Sequence, residues 1–462
     1  RVASRGLGDV YKRQDEDSTD KILTKIDKFV CDIKETQFGD GLHVYGRNSN
    51  KKYSFDIKES INSEKENIIK SVSGLRIEPG PSGSPFKGRM DVLPSGRNLY
   101  SNDPFSIPSK SAYEQGCRLA SEFLKRYLQD NGDHARKILV DLWGSATMRT
   151  AGEEFAMALC LLGVSPVWKG GSDKVSGIEV LTIAELNRPR VDVTLRVSGL
   201  FRDIFPSLTK LYNQAINLLS SRDEYPEDNP FINNVDNLRI FGPKAGNYGF
   251  RMKSNIEDFT KASRDDYGDS WIESSAWSIV GNKTSYNKRG IEKRIKEVNA
   301  YVHIQDLKET DILLSSDYAK HQGGFEAAKN KIGGKLNSYN LDNTENGNPK
   351  IKSLKEELVK VIYARAANTL WIKSMFNHNH RGASEIANTF ENICMFAHLT
   401  DKVSNHLLDL FFDATIGDQE VVNFMKKHNL EAYKSMISNF KKILKQGVWV
   451  SKRNSVIEKL YR

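Results

Sequence analysis

Lys137-Ile-Leu-Val-Asp-Leu-Trp-Gly144 and Val191-Asp-Val-Thr-Leu-Arg-Val-Ser-Gly199 are the runs on which the fold turns. Each is short, largely apolar and closed by glycine, as expected of a strand buried on both faces. Between them, Gly152–Leu162 reads as a helix ended by Gly163, followed by short strands at Ser165–Val167 and Ile178–Leu181 around the turn Gly170-Gly-Ser-Asp173. On the upstream side, Lys110–Asp130 places Tyr113, Leu119, Ala120, Phe123, Leu124 and Leu128 on one helical face. On the downstream side, Pro206–Ser220 opens a helix with proline in its first turn. Strands alternating with helices imply parallel crossovers, and so an α/β fold with a Rossmann-like parallel sheet. Ligands of such sheets sit beyond the carboxyl ends of the strands. Those ends are Leu142-Trp-Gly144 and Val197-Ser-Gly199.

Further out the pattern changes. Gly74–Pro108 is rich in proline and glycine, including Glu78-Pro-Gly-Pro-Ser-Gly-Ser-Pro85, and can be neither helix nor central strand. It is expected to be an ordered loop. Ser18–Tyr45 reads as a helix followed by extended chain, and Lys51–Ser71 as helix-permissive. Asp223–Gly249 reads as a polar loop, Asn255–Arg289 as mixed, Ile291–Gln305 as helix and Asn337–Pro349 as a loop or boundary. From Ser353 to Tyr461 the pattern is helical almost throughout. The expected division is therefore 15–72, an α/β domain over 73–335 with extended loops, and a C-terminal all-helical region over 336–462.

Residues Arg1–Gln14 are expected to be foreign. Asp9-Val-Tyr-Lys-Arg-Gln14 back-translates to a sequence resembling a transposon end used in preparing sequencing libraries. Removing four basic residues and one acid from a net charge of +9 leaves +6, spread among interspersed acids, which does not point to nucleic acid. No run approaches the roughly 20 apolar residues of a membrane-spanning helix, and no apolar segment follows the basic N-terminus, so a cytoplasmic protein is expected. Cys31, Cys117, Cys160 and Cys394 are scattered with no CxxC pair, and read as small buried residues.

Several blocks, in a fixed order, resemble the large-subunit family of the cobaltochelatases and its magnesium-chelatase paralogues. They include Asp40-Gly-Leu-His-Val-Tyr-Gly46, Gly88-Arg-Met-Asp-Val-Leu-Pro-Ser-Gly-Arg-Asn98, Met148-Arg-Thr150, Arg188-Pro-Arg-Val-Asp-Val-Thr194 with Ser198-Gly-Leu-Phe-Arg-Asp203, Arg239-Ile-Phe-Gly242, Gln322-Gly-Gly324 and Gly447-Val-Trp449. Pro81-Ser-Gly-Ser-Pro85 followed by Gly88-Arg-Met-Asp91 resembles the cobalt branch more than the magnesium branch. The resemblance implies insertion of Co2+, as substrate, into hydrogenobyrinic acid a,c-diamide, or alternatively of Mg2+ into protoporphyrin IX. A non-catalytic tetrapyrrole or metal carrier is a third reading. It also implies two partners, an AAA+ ATPase subunit and a companion subunit with a metal-binding-type domain. ATP and its Mg2+ would then lie on a partner, since no Walker-type loop occurs here. A His- and Glu-bearing motif that the family places upstream is absent from this sequence, so the chain is expected to be an N-terminally truncated fragment, inactive alone, and its metal ligands are unassigned.

Metal insertion needs the ring held by its arms, its N–H protons removed, and the cation partly dehydrated. Arginines near glycines suit the first task, because the guanidinium fork matches a carboxylate and glycine admits close backbone approach. The candidates are Arg76, Arg97, Arg149, Arg202 and Arg239, with Gly96, Asn98, Trp143, Gly144, Ser198, Gly199 and Gly242. For base or metal work the candidates are Asp317 and His321, four residues apart, and then His43 and Glu35. Gly96–Asn98, the two strand ends, Arg202, Arg239–Gly242 and Asp317/His321 are expected to converge on one cleft.

Overall fold

β3 (Lys137–Leu142) and β6 (Asp192–Val197) pair in parallel at the centre of an eight-stranded sheet. The computed structural model describes residues 57–81, 90–100, 103–232, 238–250, 262–308, 310–345 and 347–461, with Ile26, Val30, Gly46 and Pro85. The strand order is β12-β11-β10-β3-β6-β7-β8-β9. The added strands are β7 (Ile240–Gly242), β8 (Trp277–Val280), β9 (Lys283–Tyr286), β10 (Ala300–Gln305), β11 (Asn337–Asp342) and β12 (Lys350–Ser353). The five strands from β11 to β7 run parallel, and β12, β8 and β9 extend the edges antiparallel. The mostly parallel α/β sheet expected from the sequence is therefore present. β1 (Pro79–Pro81) and β2 (Asn98–Tyr100) pair separately, as do β4 (Val164–Trp168) and β5 (Val175–Val180).

Helices cover both faces of the sheet. The first described helix is α1 (Lys58–Val72). α2 (Lys110–Asn131) starts where Ser109 Oγ accepts from the Ala112 amide at 3.1 Å, and stops at Gly132. Short α3 (Gly144–Arg149) follows β3, then α4 (Glu153–Leu162); α5 (Gly199–Ile204) follows β6, then α6 (Pro206–Ser220). Phe123, Phe155, Leu159, Tyr212 and Ile216 from α2, α4 and α6 pack on Ile138, Val140, Val193 and Leu195. On the other face, α7 (Arg264–Ser274), α8 (Lys288–Glu297) and α9 (Gly324–Ile332) bring Trp271, Ile295 and Phe325 onto Leu139, Phe241 and Tyr301.

Two expectations are corrected. Ile291–Gln305 is not one helix: α8 ends at Glu297 and Ala300-Tyr-Val-His-Ile-Gln305 is a core strand. Asn337–Pro349 is not simply a loop, since Asn337–Asp342 is β11, and the sheet runs on through Ser353.

The chain divides into two compact units, Asp40–Thr310 with Lys320–Ser353, and Asp311–Ala319 with the chain from Leu354 onward. The second is helical, as expected, with α10 (Leu354–Val361), α11 (Thr369–Ser374), α12 (Asn379–Leu399), α13 (Asn405–Ala414), α14 (Gln419–His428), α15 (Leu430–Lys445) and α16 (Asn454–Tyr461). Its centre is aromatic: the Phe390 ring stacks on Phe440 at 3.8 Å and on Phe411 at 4.9 Å. Trp449 closes it, donating from Nε1 to Asp409 at 3.1 Å. Within the same unit Arg365 forks onto Asp311 at 2.5 and 2.9 Å, and Asn392 donates to the Leu313 carbonyl at 2.9 Å.

Candidate functional site

Strand register places charges where strands normally carry none. Asp141 of β3 pairs with Arg196 of β6, and His303 of β10 pairs with Asn340 of β11. Because Val302 pairs with Val140, His303 lies next to Asp141. Asn340, His303, Asp141 and Arg196 thus form a buried polar row across the sheet, near the carboxyl ends of its parallel strands.

Asp141 is the hub of this row. Its Oδ2 accepts from Trp143 Nε1 at 2.8 Å and from the Tyr301 hydroxyl at 3.1 Å, and lies 2.6 Å from Nδ1 of His321. Arg196 Nη1 reaches its Oδ1 at 3.3 Å. A carboxylate only accepts, so the contact with Asp141 puts a hydrogen on Nδ1 of His321. Arg196 Nη1 also lies 3.0 Å from that nitrogen. Guanidinium only donates, so the pairing of His321 with Asp141 is the favourable one. Arg196 is steadied instead by Asp141, by Ser275 Oγ at 3.4 Å and by the Phe250 ring at 4.5 Å. Burial alone would raise the Asp141 carboxyl pKa. The charges of His321 and Arg196 and the bonds from His321 and Trp143 overcome this and hold it well below the carboxylate range.

His321 lies in a single π-helical turn, Ala319–Gly323, of the kind that often marks functional sites. Its ring stands 4.9 Å from Trp143 and 4.5 Å from Phe250, and its carbonyl accepts from Trp271 Nε1 at 2.9 Å. Trp143 also meets His303 at 5.5 Å, so the indole touches both imidazoles. Burial lowers the His303 pKa to about 4, opposed by Asp141 and assisted by His321, so this imidazole is neutral at physiological pH. Beside the row, Arg149 forks onto Asp306 at 2.8 and 3.0 Å. Burial, reinforced by Asp306, pushes the Glu154 carboxyl pKa well up. Among the described residues no group of three His, Cys, Asp or Glu side chains is placed to hold a metal ion.

The structure gathers Trp143, Gly144, Arg149, Ser198, Gly199, Gly242 and His321 at these strand ends. Ser198 Oγ caps α5 by accepting from the Phe201 amide at 3.2 Å, and also accepts from the Gly144 amide at 3.0 Å, tying β3 to β6. Arg202 is buried, with Nη1 on the carbonyls of Pro243 and Lys244 at 2.8 and 2.7 Å and the rest of the fork on Asp203. Its donors hold the loop after β7.

Other candidates lie elsewhere. Arg239 is fully buried and bonds Asp192 at 2.6 Å, with Arg294 on the other oxygen at 3.0 Å. Asp192 is the first residue of β6, so this cluster belongs to the amino ends of the strands. Arg97 wraps its own loop, donating to the Pro94 carbonyl at 3.0 Å, and Asn98 donates to Ile77 O at 3.3 Å. With Gly96 they line a cavity of about 480 Å³ that includes Asn67, Ile68 and Ile77 and none of the Asp141 row. Arg76 is exposed opposite Glu78 at 3.6 Å. Asp317 is exposed and belongs to the helical unit, whereas His321 is buried in the sheet unit. His43, Glu35 and Arg1–Gln14 lie outside the described residues.

Sequence reading passed over Asp141, Arg196, His303 and Glu154. The signal was present: Asp141, Arg196 and His303 are titratable residues inside largely apolar buried runs, and Glu154 opens the apolar helix α4, where an unpaired charge would be prohibitive.

Comparisons with known proteins agree with this architecture. Residues 48–456 match the family model described as CobN/Magnesium Chelatase. The aerobic cobaltochelatase subunit CobN of Pseudomonas aeruginosa is 37% identical over 84% of this chain and 33% of its own length. A magnesium-chelatase subunit of Chlorobaculum parvum is 28% identical over 86% of this chain and 32% of its own. The solved catalytic subunit of cobaltochelatase from Mycobacterium tuberculosis superposes with a TM-score of 0.91 at 26% identity, covering 98% of this chain and 47% of that one. The chain thus spans about a third of the length of the two curated relatives. Among the described residues no helix is long and apolar enough to cross a membrane. With a matched family model over most of its length and a fold shared with a solved member, the chain belongs to the CobN/magnesium-chelatase family.

Proposed function

We propose that this chain is the tetrapyrrole-binding, metal-inserting portion of a cytoplasmic cobaltochelatase large subunit. It would serve insertion of Co2+ into hydrogenobyrinic acid a,c-diamide, with ATP hydrolysed by an AAA+ partner and a companion subunit completing the assembly. The observation that carries this reading is the greater identity to the cobalt enzyme, 37% against 28% for the magnesium enzyme over a similar span.

The polar row supplies chemistry of the right kind. Insertion releases two ring protons, which need acceptors in a site where water is scarce. The neutral His303 is one such acceptor, and His321, paired with Asp141, lies against the same indole. Trp143 offers an apolar surface to a flat ring, and Arg149 and Ser198 offer donors to its polar arms.

The test is a binding titration of the chain with hydrogenobyrinic acid a,c-diamide and, separately, protoporphyrin IX, followed by tryptophan quenching. Tighter binding of the first by roughly tenfold is expected. Preference for protoporphyrin IX would favour the magnesium reaction instead, and binding of neither would overturn the reading.

A further inference from the structure

α2 and α4 touch backbone to backbone at Gly116. A Cβ there would stand 2.6 Å from the Met157 amide nitrogen and 2.7 Å from the Ala156 Cβ. Cys117 follows Gly116 on α2, and Cys160 lies one helical turn beyond Ala156 on α4. Their side chains neighbour each other across the contact. Both side chains are half-buried, whereas Cys394 is fully enclosed.

A fixed cation stands beside the pair. Arg188 donates to the carbonyls of Cys160 at 2.6 Å, Leu161 at 3.1 Å and Pro189 at 2.9 Å, which locks its guanidinium near both sulfurs. The neighbouring Cys160 thiol, with Tyr113 and the Arg188 charge, outweighs burial and holds the Cys117 pKa below its ordinary range. The adjacent Cys117, with burial, pushes Cys160 up. Cys117 is thus the easier of the two to deprotonate, an asymmetry suited to an attacking and a resolving thiol.

From this geometry we propose that Cys117 and Cys160 are an oxidative modification site, a dithiol that closes to a disulfide between α2 and α4 on reaction with hydrogen peroxide. The Cys117 thiolate attacks one peroxide oxygen, the O–O bond breaks, and the departing hydroxide takes up the proton that left Cys117 to become water. The Cys160 sulfur then attacks the resulting sulfenic sulfur. The S–O bond breaks, and that hydroxide takes the Cys160 proton as a second water. Two thiols are oxidised to one disulfide while one peroxide is reduced to two waters. The site is independent of the metal-insertion reading.

The experiment treats the whole chain with peroxide, blocks residual thiols by alkylation, and maps peptides without reduction. A cross-linked pair containing Cys117 and Cys160, lighter by two hydrogens, is expected, with Cys394 still alkylated. The melting temperature is expected to rise by roughly 5–10 °C, reversibly with dithiothreitol. C117S and C160A should each abolish both changes. A sulfinic or sulfonic product at Cys117 without the cross-link would overturn the proposal. So would oxidation of Cys394 at the same rate. The wild-type map decides these outcomes even if a variant folds poorly.

Discussion

Asp141 keeps a full negative charge in the interior because Arg196, His321, Trp143 and Tyr301 all address it. Removing that charge strands its partners. Asp141→Asn is expected to cost about 3–5 kcal/mol, since breaking a buried pair leaves an uncompensated cation. Urea denaturation followed by tryptophan fluorescence measures this, and a loss below about 1 kcal/mol would show that solvent reaches Arg196. His303 makes a prediction in pH. Its folded pKa, about 4, lies below the unfolded value of 6.5. The unfolded chain therefore binds the extra proton between those limits. The stability gained by keeping the ring neutral is complete above pH 6.5 and is lost as pH falls toward 4, by about 3 kcal/mol. His303→Gln should flatten that part of the stability–pH curve. Glu154 acts in the opposite sense: its raised pKa favours the folded state at low pH, and that contribution fades as pH rises. An unchanged slope in His303→Gln would mean that His303 titrates as it does in the unfolded chain.

At the level of elements, the sequence was most legible where one signal acted alone. β3 and β6 announced themselves as apolar runs ended by glycine, and α2 and α4 by apolar spacing and terminal glycines. β10 was hidden because Ile291, Ile295 and Val298 keep a helical period up to the start of the strand. β11 was hidden for a different reason. Its Tyr339 and Leu341 face the apolar layer, but Ser338 and Asn340 face the polar side, so its composition resembles a loop. The site was only half legible for the same cause: arginine next to glycine marked loop-holding residues such as Arg97 and Arg202 as readily as site residues. Gly144, which opens α3 just after β3, has a steric duty. A Cβ on Gly144 would lie 2.5 Å from the Phe201 amide nitrogen, a backbone atom with little room to yield. Gly144→Ala is expected to force α3 from α5 and cost about 1–3 kcal/mol, read from thermal unfolding. A neutral effect would show that α5 shifts freely.

At the scale of the whole molecule, each unit has its own core, and the helical one depends on its end. Trp449 packs against Phe412 and Phe440, at 5.7 and 5.4 Å. Trp449→Ala is expected to destabilise the helical unit by about 3–5 kcal/mol, seen as faster hydrogen exchange in α12, α13 and α15. Unaltered exchange in those helices would mean that Trp449 is dispensable. The path of the chain has a further consequence. After β10 it contributes Asp311–Ala319 to the helical unit before returning to lay down β11 and β12. Neither unit is a continuous segment, so no single cut separates them. A ribosome completes the sheet only after Ser353 has emerged, and by then the Asp311 that neutralises Arg365 has been waiting for its partner. Severed at Leu354, the helical portion would carry that guanidinium with no counter-ion from this strip, and mixing in a peptide of residues 311–319 should restore its fold.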